Sequence, residues 1–157
     1  MAQDQDASLR KHLLSLLRGG SAHLSFDDFV NSFPPDLCNR RIDGLPYTAW
    51  QVLEHMRIAQ WDIFQYAIDP KHVSPKFPEG YWPASPEPPT ESAWDESVAS
   101  FRADRDAFCA WIRDESTDLF TKIPHGNANP LAKVLLTADH NTYHLGQLVL
   151  VKRMLTE

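Results

Sequence analysis

The chain has 157 residues, with 15 Lys+Arg against 21 Asp+Glu and a formal net charge of −6. Its 43% hydrophobic and 23% charged residues are ordinary globular composition, which excludes fibrous and disordered classes, and its length suits one domain, residues 1–157. An acidic chain repels a phosphate backbone unless its cations gather into one stripe. Arg40-Arg41 and Lys152-Arg153 are isolated pairs, so no nucleic-acid partner is expected.

No apolar run approaches the ~20 residues of a membrane span, and Asp4 and Asp6 precede the first leucines, the reverse of a signal peptide's basic lead. The expected setting is cytoplasmic, with no membrane partner. Cys38 and Cys109 lack CxxC spacing and are too few for a disulfide framework; each reads as a small buried hydrophobe.

Strand-like alternation is nearly absent, and four long segments carry the helical period. The first runs from about Ala7 to Arg18, with Leu9, Leu13, Leu16 and Leu17 on one side and Gly19-Gly20 as a stop. A short helix over Phe26–Ser32, capped by Ser25, ends at Pro34-Pro35. The second long helix starts near Thr48 and reaches Ile68, with Ala49, Val52/Leu53, Met56, Ala59, Ile63 and Ala67 as its stripe.

Residues 69–90 hold seven of the twelve prolines, which rules out helix and inner strand because each ring removes a donor. A connection that long is a functional lid or a disordered segment, and Phe77, Tyr81 and Trp82 favour an ordered loop. It looks too long merely to close the gap, and it can reach back the ~20 Å of helix to His55. Tyr81 and Trp82 are expected in a pocket wall there, with the outer face or a dimer contact as the alternative. The third long helix has Thr90 or Ser92 as cap and Trp94, Val98, Phe101, Phe108 and Ile112 at helical spacing. The fourth opens with Asn129 as N-cap and Pro130 as first helical residue. It runs to about Leu155, with Leu131, Val134/Leu135, Ala138, Leu145, Leu148/Val149 and Leu155 inward. The fold class is all-α, a four-helix bundle with a long proline-rich loop between the second and third long helices.

His140 and His144 stand at i, i+4 on the fourth long helix, so their side chains are neighbours. Their row reads Leu136, His140, His144, Gln147/Leu148, Val151 and points inward. His55 flanks the stripe of the second long helix, on a row with Thr48, Val52, Ala59, Asp62 and Tyr66. Bundle cores build metal sites from facing helices, and three histidines leave open positions as catalytic sites do. On spacing alone two readings stand: three metal ligands, or buried histidines satisfied by neighbours. His12, His72 and His125 read as solvated surface histidines; His23, in a Gly-Gly-Ser-Ala-His turn, stays open.

The chain resembles the DinB-like superfamily, in the broad sense that includes YfiT-like metal-dependent members. The resemblance spans nearly the whole sequence. It rests on Gly19-Gly20-Ser21-Ala22-His23-Leu24-Ser25-Phe26-Asp27-Asp28, Leu53-Glu54-His55, Glu79-Gly80-Tyr81-Trp82-Pro83 and His140-Asn141-Thr142-Tyr143-His144-Leu145-Gly146-Gln147. It implies a divalent metal on His55, His140 and His144, often in a homodimer. Family members of known activity include low-molecular-weight thiol S-transferases and a thiol-dependent isomerase, and many relatives carry Arg where this chain has Leu145.

Three neutral imidazoles leave a bound ion its full positive charge, which acidifies a water or a thiol. The expected activity is a metal-dependent thiol S-transferase or a hydrolase acting on a small-molecule substrate, with a low-molecular-weight thiol as possible cofactor. The alternative is a non-catalytic metal-binding or interaction bundle. Imidazoles suit Zn, Ni and Fe alike. Asp62 is a candidate acceptor for an imidazole N–H and Gln147 a candidate hydrogen-bonding group for a ligand; either also fits a polar residue on a helix rim. Gly146 inside a helix costs about 1 kcal/mol relative to Ala, and close approach of another element is its expected compensation.

Overall fold

The computed structural model describes residues 2–157. It contains five α-helices: α1 (Ala2–Arg18), α2 (Phe26–Ser32), α3 (Ala49–Ile68), α4 (Ala93–Arg113) and α5 (Pro130–Thr156). Short 3₁₀ turns lie at Pro35–Leu37 and Glu79–Tyr81, and there is no strand among the described residues. None of the described helices is long and apolar enough to cross a membrane. The helix starts follow local chemistry. Thr48 and Gln51 form a reciprocal capping box on α3, worth about 1 kcal/mol, and the Asn129 side chain accepts from Ala132 N–H ahead of Pro130. Ser92 is the N-cap residue of α4, as one of the two expected, but its side chain makes no capping bond. The Thr90 carbonyl accepts from Ala93 N–H, while Ser92 Oγ donates to Glu96. The first helix also begins five residues earlier than its apolar period suggests, with Arg10 bonded to Asp6 one turn back.

The long helices close a ring in which α3 packs on α5 and α4, and α1 packs on α4 and α5. The core has two apolar clusters. One joins Phe26, Phe29, Trp50, Leu53, Met56, Trp94 and Phe101 to Leu145 and Leu148. The other joins Leu13, Leu17, Phe64, Phe108 and Ile112 to Val134 and Ala138. The early residues of α3 therefore meet the early residues of α4 but the late residues of α5. So α3 and α4 run parallel, and α5 runs against both. Both cysteines are free and buried.

This parallel pairing explains the proline-rich connection. A chain leaving the end of α3 must return along its 20 residues, about 30 Å, before α4 can begin. The loop does so in register. His72 meets Asp62, the Tyr81 carbonyl meets His55, the Pro83 carbonyl accepts from Gln51, and the Pro86 carbonyl accepts from Thr48. Its length is what the crossover requires, rather than surplus.

Candidate metal centre

His55 lies two turns into α3, and His140 and His144 lie mid-way along α5. Their Nε2 atoms converge: His55 to His144 is 3.1 Å and His140 to His55 is 3.0 Å. One ligand atom from each of the three residues falls within 4.8 Å of the others. His55 and His144 are buried, at 6% and 7% exposure, and His140 is half-buried. The expected inward row drifts, because four residues turn the helix by about 400°. Leu136 accordingly sits 50% exposed, and Leu135 46% exposed, while His144 and Leu148 reach the interior.

The outer nitrogens fix the chemistry of the inner ones. His55 Nδ1 lies 2.9 Å from the Tyr81 carbonyl, which can only accept, so Nδ1 carries the proton. His144 Nδ1 lies 2.7 Å from Gln147 Oε1 and donates in the same way. A neutral imidazole protonated at Nδ1 presents a lone pair at Nε2. Two lone pairs thus face one point, with a third imidazole alongside. Burial pushes His55 and His140 down to about 4 and lowers His144 as well, so the cluster is neutral at pH 7. Lone pairs converging in a buried setting lack a partner, and a cation supplies one. Tetrahedral bonds of 2.0–2.1 Å place ligand nitrogens about 3.3 Å apart, close to the observed separations. The three histidines fit a divalent ion.

Around them, the crossover forms a wall. Trp82 stacks on His55 and meets His144 edge-on, with ring centroids 5.9 Å apart. Tyr143, which the sequence reading passed over, sets its ring edge-on to His144 at 4.8 Å while 64% exposed. Gln147 touches His144, as a polar residue one turn on can.

Asp62 does not accept from a site imidazole. Its oxygens take His72 Nε2 at 2.7 Å and the Tyr81 hydroxyl at 2.6 Å; the acceptor for His55 is main chain. Burial and the Asp62 carboxylate push the Tyr81 phenol up to about 12, so it remains a donor. The surface placement of His72 is corrected as well, since its side chain is 8% exposed. His125 likewise bonds the Tyr66 carbonyl at 2.6 Å. His12 and His23 are exposed. At Gly146 an added Cβ meets nothing within 4 Å, so no neighbouring element explains that glycine. Leu145, where Arg was noted in relatives, is 6% exposed and part of the core.

No curated protein and no solved structure matches the chain. The family model described as DinB superfamily matches residues 22–148, a span containing all three histidines, the crossover and most of the bundle. The chain belongs to the DinB superfamily.

Proposed function

We propose that His55, His140 and His144 hold a divalent metal, and that the protein is a metal-dependent enzyme acting on a small molecule, as a thiol S-transferase or a hydrolase. The observation that carries the reading is the pair of Nε2 lone pairs aimed at one point by carbonyl acceptors behind them. Such an ion supplies positive charge that acidifies a thiol or water brought beside it. This chain's own groups orient the imidazoles through the Tyr81 carbonyl and Gln147, and Trp82 covers one ring face. A low-molecular-weight thiol is the proposed co-substrate in the first case. A homodimer and a cytoplasmic setting belong to the same proposal; two free thiols support the latter.

A non-catalytic metal-binding bundle is the second reading. The buried Leu145 favours it, because that position offers no cation for an anionic substrate. Metal content of untagged protein, measured for Zn, Ni, Fe and Mn, tests the site. The expected result is one ion per chain, lost in His140→Ala; equal metal in parent and variant overturns it. Pairing small thiols with electrophiles, and assaying ester and amide hydrolysis, then separates the two readings.

A further inference from the structure

Two of the three site histidines have their outer nitrogen satisfied. Among the described residues, His140 Nδ1 has no hydrogen-bond partner although it is buried. The next residue holds the complementary orphan, a buried acceptor at Asn141 Oδ1. A buried ring nitrogen and a buried amide oxygen each left unpaired cost about 1–3 kcal/mol, so two on adjacent residues at the site call for an account.

The direction of the Asn141 amide is set from far away. The Phe101 carbonyl can only accept, so Gln60 presents its NH₂ there, at 2.8 Å. Its Oε1 is thereby turned towards Asn141, whose Nδ2 donates to it at 2.9 Å. The remaining Asn141 atom is the oxygen. Gln60 is fully buried, and along α3 it falls between Met56 of one apolar cluster and Phe64 of the other. A polar relay there is anchored and cannot reverse without leaving an acceptor facing a carbonyl.

We propose that Asn141 is a positioning residue for the metal centre: its Oδ1, aimed by the relay from the Phe101 carbonyl through Gln60 and unpaired in this structure, takes the Nδ1 proton of His140 when that ring turns its Nε2 lone pair to an ion at the shared point. The three histidines then share one design, each with an oxygen acceptor behind it: a main-chain carbonyl for His55, Gln147 for His144 and Asn141 for His140. This inference rests on the metal reading above and adds the residue that completes it. Supporting acceptors of this kind typically change metal affinity about 10–100-fold when removed.

The experiment titrates the full chain with Zn²⁺ against a competing chelator, for the parent, Asn141→Ala, Gln60→Met and the double variant. Melting of each without metal is recorded in parallel. Zinc affinity should fall about 10–100-fold in Asn141→Ala, less in Gln60→Met, and no further in the double variant, because both act through one oxygen. Ring ¹⁵N shifts of the zinc-loaded parent should show His140 bound through Nε2 with its proton on Nδ1, a readout that needs no variant to fold. Zinc affinity within twofold of the parent in a folded Asn141→Ala, or zinc on Nδ1 of His140 in the parent, overturns the inference while leaving the metal site standing. A parent that binds no zinc, nickel or iron overturns the metal reading itself.

Discussion

The Trp82 indole lies flat on the His55 imidazole, with ring centroids 3.8 Å apart and planes within 5° of parallel. On its other side the indole stacks on Tyr47 at 4.0 Å, so the His55 ring is the buried end of a three-ring pile. Trp82→Ala removes the middle of that pile from the edge of the core. It should cost about 2 kcal/mol, read as a lower urea midpoint. The variant should keep its metal, since the indole offers no ligand atom, yet bind exogenous imidazole or a small thiol with altered affinity. An unchanged midpoint and unchanged ligand affinity would remove Trp82 from the account.

Acid should destabilise the metal-free protein in a defined window. His55 and His140 sit near 4 when folded, against about 6.5 in the unfolded chain. Below pH 6.5 the unfolded state takes up protons that the folded state refuses, so stability falls as pH drops from 6.5 towards 4. Above 6.5 these groups contribute no slope. Asp104, raised by burial, acts in the opposite direction at the acid end of that range. Urea unfolding at pH 7, 6, 5 and 4 should show the decline in the parent and a shallower one in a His55→Gln/His140→Gln variant. Equal slopes would refute the assignment.

Asp62 holds the crossover at two points, through His72 and through the Tyr81 hydroxyl. Asp62→Asn keeps the shape but leaves one oxygen for two partners. It should cost about 1–3 kcal/mol and speed amide hydrogen exchange and proteolytic nicking between residues 70 and 90, with α4 and α5 unaffected. Unaltered exchange in that segment would show that the prolines and Trp82 hold the loop without it.

Arg10, 7% exposed, donates to the carbonyls of Ile112, Asp114 and Thr117 and bonds Asp6. The last carbonyls of a helix lack intrahelical donors and carry its negative end, so one guanidinium both caps α4 and ties α1 to it. Arg10→Met should lower stability by about 3 kcal/mol, a fall in melting temperature of roughly 6–12 °C for a chain of this size. Arg10→Lys should recover little, since a single ammonium lacks the fork that spans three acceptors.

What the sequence disclosed and what it withheld divide along the distance over which a signal acts. Thr48, Asn129 and Pro130 announce helix starts because a cap is complete within three residues. His140 and His144 announce themselves by one turn of spacing, and His55 by its place beside an apolar stripe. The acceptor behind His55 could not be read this way, because it is a main-chain oxygen 26 residues along the chain. The same holds for His72 and His125, which look solvated in polar segments until the crossover and the α4–α5 connection return to α3. Asp62 was noticed for the right row and the wrong partner: periodicity gives the face of a helix but not what is laid across it. Gly146 shows the converse, a helical glycine for which no contact provides a reason.

The use of a peptide carbonyl behind His55 changes what kind of lesion the centre is vulnerable to. Every residue type carries that oxygen, so no replacement of the Tyr81 side chain deletes it, whereas Gln147 is lost in a single codon change. What can move it is chain path: an insertion or deletion between residues 70 and 80 presents a different carbonyl, or none, to the imidazole. Gly80 is the exception among point substitutions, because a Cβ there would come within 2.7 Å of the Pro75 ring and push the turn outward. The centre is thus tolerant of spelling and intolerant of length behind His55, and intolerant of spelling behind His144.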